Sequence, residues 1–295
     1  MQLPGPDFPA PAKLNLFLHV VGRRADGYHL LQSAFVLLDF GDTLRLRVRD
    51  DGRIVRLSDL PGVPAESDLV VRAARRLQEA TGTRLGVDIE VEKRIPMGGG
   101  LGGGSSDAAT VLVGLDRLWR CGLGPEALAE LGLALGADVP FFVRGRNAWV
   151  EGIGERIRPL AIPPAWYVVL VPPVAVPTPL VFAAPELTRD TEPLKMEDFS
   201  THLRDGQLRN DLEPVVTARF PEVASHLRWL SAHGEARLTG SGGCVFAAFG
   251  SREAAQAVFD RRPAGMAGFV ARGLEHHALF DAAAAAGREG AAAGP

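Results

Sequence analysis

The chain has 295 residues, 46% of them hydrophobic and 23% charged, with a formal net charge of -3 at pH 7. That length suits one or two globular domains. The near-neutral balance speaks against a nucleic-acid partner, yet leaves room for a locally positive site that takes a small anion.

Residues 13–21 alternate: Leu14, Leu16, Leu18 and Val20 share one face of a strand, and Lys13, Asn15, Phe17 and His19 the other. Lys13 and Asn15 therefore point the same way. Extended segments are predicted at 33–39 and 43–48. Residues 67–81 read as a helix whose apolar face is Leu69, Val70, Ala73, Ala74 and Leu77. A half-buried strand at 86–92 leads into a glycine-rich segment, after which Ala108, Val111, Leu112, Leu115 and Trp119 recur at helical spacing. A helix at 126–135, short strands at 147–150 and 156–160, and an apolar strand at 166–171 follow. Pro-rich residues 172–179 mark a change of character. Pro221 opens a helix to about residue 233. The order then runs strand (236–239), glycine turn, strand (244–249), helix (252–261), strand (268–272), which suits a small α+β layer. Two lobes are expected, 1–157 and 158–281, followed by an Ala/Gly-rich tail at 282–295 that reads as frayed helix or disorder.

The most informative segment is Ile95-Pro96-Met97-Gly98-Gly99-Gly100-Leu101-Gly102-Gly103-Gly104-Ser105-Ser106-Asp107, with six glycines in seven positions. Such density costs conformational entropy, and a hairpin turn rarely needs more than one or two glycines. Placed between a strand and a helix, it points to a phosphate site: consecutive amides form a concavity and the helix N-terminus adds partial positive charge. Ser105 or Ser106 is available to cap the helix or to donate to a phosphate oxygen. Asp107 is expected to face away from the phosphates, or to reach a metal ion through water. The segment is not a P-loop, because Gly104 leads directly to Ser105 without a lysine. A literal G-x-G-x-x-G stands at Gly98, Gly100 and Gly103. It lacks the acidic residue that should end a second strand about 20 residues on; the nearest, Glu126, opens a predicted helix. A nicotinamide-dependent oxidoreductase is thus the weaker alternative.

Residues 96–109 resemble the central ATP-binding motif of the GHMP kinases (galactokinase, homoserine, mevalonate and phosphomevalonate kinases). Two further motifs of that family stand in order: Pro11-Ala12-Lys13-Leu14-Asn15-Leu16, and Leu238-Thr239-Gly240-Ser241-Gly242-Gly243-Cys244-Val245-Phe246. Four more segments resemble the branch whose acceptor is 4-diphosphocytidyl-2-C-methyl-D-erythritol. These are Asp26-Gly27-Tyr28-His29, residues 136–142 around Asp138, residues 177–182, and Asn210-Asp211-Leu212-Glu213-Pro214. Together the matches run from about residue 11 to about 250.

The resemblance implies an α+β, two-lobed fold, with a ribosomal-S5-like N-terminal lobe, a ferredoxin-like C-terminal lobe and the active site in the cleft between them. It implies an enzyme that uses ATP and Mg²⁺ to phosphorylate the 2-hydroxyl of that acceptor. Asp138 would take the hydroxyl proton, and Lys13 would orient the hydroxyl and stabilise developing negative charge. ATP would meet Pro96, Met97, Gly98, Gly99, Gly100, Leu101, Gly102, Gly103, Gly104, Ser105 and Ser106. Asp68 stands where the family commonly has an asparagine near adenine, and an ionised aspartate can only accept hydrogen bonds. Tyr28, His29 and Phe182 would form the cytidine site, with Asn15, Thr178 and Gly242 as further substrate contacts. Homoserine or mevalonate kinase is the in-family alternative, and a nucleotide-binding regulator a third class, which retention of Lys13 and Asp138 disfavours.

No metal ligands are named by the sequence: His202, His226, His233, His276 and His277 have no metal-site spacing. Cys121 and Cys244 form no pair, and Cys244, in an apolar run, reads as a small hydrophobe. No basic start followed by an apolar core is visible, and stretches such as 14–21 and 166–176 are too short or too interrupted to span a bilayer. A cytoplasmic protein without a membrane partner, monomeric or weakly dimeric, is expected.

Overall fold

The alternation at 13–21 extends both ways into β1 (Asp7–Arg23). The two segments expected at 33–39 and 43–48 are one long strand, β2 (His29–Arg49). Gly41 does not break it. A Cβ there would lie 2.3 Å from the Ala10 carbonyl oxygen, so the glycine is what lets β1 press against β2. β1 pairs antiparallel along one edge of β2, with register shifts between Pro11 and Lys13, Asn15 and Phe17, and Val20 and Gly22. The computed structural model describes residues 6–277 and Leu279; the tail expected at 282–295 lies outside them.

The other edge of β2 serves three partners in turn. β4 (Gly86–Glu92) pairs with Thr43–Arg49 and carries the parallel β3 (Ile54–Arg56), which the sequence pattern did not announce. β5 (Ala148–Gly152), paired in turn with β6 (Arg156–Pro159), covers Leu31–Phe35. Between them, the end of β10 (Ala267–Leu274) pairs at Leu37 and Leu38. The rest of β10 belongs to a second antiparallel layer, in the order β10, β7 (Trp166–Val171), β9 (Val245–Phe249), β8 (Ala236–Leu238). One strand thus joins both halves. Among the described residues only β3 and β4 are parallel strands, so no doubly wound parallel sheet surrounds the glycine segment there, and the oxidoreductase alternative loses its scaffold.

Helices α1 (Leu69–Thr81), α2 (Gly103–Leu118), α3 (Pro125–Leu133) and α4 (Val139–Arg144) cover the first sheet around a core of Leu44, Val71, Leu77, Ile89, Val111 and Phe141. The second layer carries α5 (Thr178–Phe182), α6 (Phe199–Arg204), α7 (Glu213–Arg219), α8 (Pro221–Ser231) and α9 (Arg252–Asp260). Its own core includes Val168, Leu170, Val223, Leu230 and Val245. A third cluster, with Leu14, Phe17, Leu101, Trp149, Tyr167 and Phe246, lies between the two and draws on both. The cores do not divide at one chain position: Leu18 and Val20 of β1 pack in the second, and Leu279 returns to the first.

Candidate functional site

The glycine segment links β4 to α2. Gly98, Gly100 and Gly102 have φ of 72°, 80° and 75°, the left-handed region that side chains resist. The other glycines serve contact. A Cβ on Gly99 would lie 2.6 Å from Cys244 Sγ, and one on Gly100 would lie 2.1 Å from the Thr239 carbonyl oxygen. The loop is therefore laid directly against the turn between β8 and β9, and part of its glycine content serves that docking rather than a ligand. Cys244 is the buried hydrophobe expected, and burial pushes its thiol up to about 12.

No side chain caps α2; Gly102 holds the cap position. The serines are not caps but lie inside the first turn. The first intrahelical bond runs from Ser106 N to the Gly102 carbonyl at 2.9 Å, which leaves the amides of Gly103, Gly104 and Ser105 without intrahelical acceptors. These amides and the helix dipole favour an anion. They border a recess of about 230 Å³ lined by residues 95–104 and Lys93. Ser106 departs from expectation: it is 0% exposed and its hydroxyl has no partner, so of the two serines only Ser105 faces a cavity.

Beneath the loop sits a charged cluster that the sequence pattern did not announce. Lys93 Nζ lies 2.5 Å from Asp42 Oδ2 and 2.7 Å from Asp107 Oδ2. The other oxygen of Asp42 accepts from the amides of Arg94 (2.5 Å) and Ile95 (2.8 Å). Asp107 is thus engaged by Lys93, which borders the loop recess, and does not line that recess itself. Two carboxylates share one ammonium here: burial pushes the Asp107 carboxyl up to about 7, with Lys93 opposing and Asp42 adding to the rise.

Lys13 lies on β1 where its amide donates to the Leu101 carbonyl (3.0 Å), which ties strand to loop. Its side chain is buried, and Nζ lies 2.5 Å from Asn15 Oδ1 and 3.5 Å from Asp138 Oδ2. The ammonium also stands 4.6 Å from the centre of the Phe35 ring. Asn15 is fixed at its other end by donation to Ser33 Oγ (3.0 Å), and its amide donates to Thr239 Oγ1 (2.9 Å). Alternation on β1 thus does place Lys13 and Asn15 on one side, and Asn15 orients the lysine. Asp138 immediately precedes α4, makes no capping bond, and leaves 30% of its side chain exposed. Both groups line a cavity of about 410 Å³ together with Gly100, Gly102, Ser105 and Ser241. A carboxylate beside an ammonium, next to an anion cradle, can take a proton from an alcohol and hold the resulting negative charge.

A second cavity of about 560 Å³ opens from the first; Leu31, Ile153, Thr178 and Phe182 line both. Tyr28, 62% exposed, and His29 form its far wall. The His29 and Phe182 rings lie 5.0 Å apart, tilted by 33°. Thr178 Oγ1 and Ser241 Oγ share a hydrogen bond of 2.6 Å between α5 and the β8–β9 turn. Asn210 donates to the carbonyls of Leu238 and Gly240 (both 2.9 Å), and Glu213 Oε2 accepts from Leu238 N (2.7 Å). The segment 210–214 therefore holds that turn in place.

Two expected contacts need correction. Gly242 does not line either cavity; a Cβ there would lie 2.1 Å from Gly100 N and 2.2 Å from Gly99 C, so the residue packs on the loop from behind. Gly242→Ala is expected to lower stability by about 1–3 kcal/mol, since backbone must move on both sides; an unchanged urea midpoint would show that the turn is not docked. Asp68 caps α1 by accepting from Val70 N (3.1 Å), and its other oxygen pairs with Arg56 Nη1 (2.6 Å). Its two oxygens thus tie the start of α1 to its own first turn and to β3.

The chain matches two family models, GHMP kinases N terminal domain over residues 68–146 and GHMP kinases C terminal over 191–267. It is similar to proteins named 4-diphosphocytidyl-2-C-methyl-D-erythritol kinase. That of Thiobacillus denitrificans is 61% identical over 274 residues, 93% of this chain and 97% of the relative. That of Halorhodospira halophila is 58% identical over 286 residues, 96% of this chain and 98% of the relative. Among solved structures, a 4-(cytidine 5'-diphospho)-2C-methyl-D-erythritol kinase superposes with a TM-score of 0.80 at 37% identity, covering 90% of this chain and 98% of that one. Homoserine kinase from Cytophaga hutchinsonii shares the fold, with a TM-score of 0.69 at 19% identity over 94% of this chain and 97% of that one. With both lobes matched and relatives alike over nearly their whole length, the chain belongs to the GHMP kinase family.

Proposed function

We propose that this chain is an ATP-dependent kinase that phosphorylates the 2-hydroxyl of 4-diphosphocytidyl-2-C-methyl-D-erythritol, in the non-mevalonate route to isoprenoid precursors. The observation that carries the reading is the placement of Lys13 and Asp138, 3.5 Å apart, between the glycine cradle and the aromatic cavity. Triphosphate at residues 96–105 and cytosine between Tyr28 and Phe182 would put the acceptor alcohol beside Asp138. Asp138 takes the proton as the phosphoryl group transfers, and Lys13, held by Asn15, steadies the alkoxide. A tertiary alcohol is crowded, so orientation contributes as much as basicity.

Mg²⁺ fits this arrangement. The described residues contain no cluster of three or more metal-ligating side chains, but magnesium on a triphosphate needs only one or two protein ligands. Ser105 is the oxygen donor beside the cradle that suits it, and the ion would supply charge neutralisation on the phosphates. Lobes at 1–157 and 158–281 follow the bulk of the first two hydrophobic cores, with Leu18 and Val20 crossing into the second and Leu279 into the first. A cytoplasmic monomer or weak dimer is part of the same proposal. No helix among the described residues is long and apolar enough to cross a membrane.

Labelled ATP offered with a panel of acceptors tests the reading: transfer to the cytidine diphosphate derivative and not to homoserine or mevalonate is expected. Transfer to either of the latter alone would overturn it. Base stacking is worth about 1–3 kcal/mol, so Tyr28→Ala is expected to raise the acceptor KM roughly 5- to 150-fold while the KM for ATP stays put.

A further inference from the structure

Arg189 lies just beyond α5, and no sequence motif marks it. Its guanidinium bridges the two sides of the aromatic cavity. Nε donates to His29 Nε2 at 3.1 Å, across 160 residues of sequence. Nη2 donates to the carbonyls of Phe182 (3.1 Å) and Ala184 (2.7 Å), and Nη1 to that of Leu187 (2.9 Å). The helix that carries Phe182 spans five residues, too few to hold its shape on its own bonds. Its last carbonyl, that of Phe182, and those of Ala184 and Leu187 just beyond it are instead tied down by this one side chain.

An arginine has no acceptor, so His29 Nε2 must receive that bond through its lone pair. A neutral imidazole whose Nε2 accepts carries its proton on Nδ1. Burial, and then the nearby charges of Arg189 and Arg23, hold this imidazole below its ordinary range, which keeps it neutral near pH 7. The ring is left with one polar group to offer a ligand, and that group is a donor.

We propose that Arg189 is a positioning residue for the base cavity: it reserves His29 Nε2, so that the ring meets the base only as an Nδ1–H donor, and it locks that ring to the main chain bearing Phe182. The proposal rests on reading this cavity as the cytidine site. Its ligand class is a base whose edge presents an acceptor, as the O2/N3 edge of cytosine does.

The test compares the wild type with Arg189→Met, which keeps the length and removes every donor, and Arg189→Lys, which restores one. The readouts are separate KM values for ATP and for the cytidine diphosphate acceptor, and histidine side-chain nitrogen NMR, with the His29 signal assigned by its loss in His29→Asn. Arg189→Met is expected to raise the acceptor KM about tenfold, as one positioned hydrogen bond is worth. The KM for ATP and kcat should stay within about twofold of wild type. The His29 nitrogens should change from a single Nδ1–H form to a tautomer mixture, and Arg189→Lys should restore the single form in part. An unchanged His29 pattern in Arg189→Met overturns the proposal, as does an equal rise in both KM values, which marks a merely structural role. Tyr28→Ala separates the two levels. If that change leaves the acceptor KM untouched, the cytidine site itself is wrong and this proposal falls with it. If Tyr28→Ala raises that KM and Arg189→Met does not, only the role of Arg189 fails.

Discussion

Asp138→Asn is expected to lower kcat by about 10²- to 10⁴-fold, the usual contribution of a positioned general base. The carboxamide keeps the shape of the side chain and loses its ability to accept a proton. The fold should tolerate the change. Asp138 caps no helix, its side chain is 30% exposed, and its lysine partner keeps the hydrogen bond to Asn15 Oδ1. The pair is long, at 3.5 Å, and its carboxylate stays partly in water, so its loss costs little beside the hydrogen bond that the buried lysine keeps. ATP affinity should also survive, because the cradle is made of main-chain amides on the other side of Lys13. Single-turnover phosphoryl transfer, with nucleotide binding measured in parallel, separates these effects. A variant that turns over near the wild-type rate would remove Asp138 from the base role and leave orientation by Lys13 as the main catalytic device.

The second large effect is expected beneath the loop rather than in the cavity. Asp42 is buried, and its carboxylate receives Lys93 Nζ and the amides of Arg94 and Ile95. Asp42→Ala would strand two amides and half of the charge balance in the interior, at a cost of about 3–5 kcal/mol. Those amides fix the approach to the glycine segment, so nucleotide affinity should fall with stability. Asp107→Asn should behave in the opposite sense. The Asp107 carboxyl titrates near 7 in the folded chain, well above its ordinary range, because burial and Asp42 oppose its charge. The folded state therefore binds the extra proton between the ordinary carboxylate pKa and about 7, and its stability falls as pH rises through that window. The asparagine variant lacks this loss. Its stability relative to wild type should rise between about pH 4 and about pH 7 in urea titrations. An Asp42→Ala protein as stable as wild type, or a pH-independent Asp107→Asn difference, would show that the cluster carries no such strain.

What could be read from the chain followed the range of each signal. Alternation on β1 is a local property, and it placed Lys13 and Asn15 on one side of the strand. The glycine density, flanked by strand and helix, likewise singles out the loop that lines the recess at the start of α2. Short helices escaped: α4 to α7 have five to seven residues, fewer than two turns, and periodicity has nothing to count. The break expected between 39 and 43 was absent because Gly41 answers to β1 across the sheet and not to its own neighbours. Pairings such as Asp42 with Lys93, or Arg189 with His29, join residues 51 and 160 positions apart. Only the fold decides which carboxylate or imidazole each cation meets. Asp68 and Gly242 show the converse, positions marked by a motif whose side-chain space is taken up by the scaffold.

The seating of Gly242 on Gly99 and Gly100 also bears on how the molecule comes into being. During synthesis the glycine segment leaves the ribosome long before the turn that backs it. A nascent or truncated chain ending short of that turn would carry every residue of the phosphate motif and still present an open, unsupported loop. Competence to hold a nucleotide is thus acquired late, when the last strands close over the first.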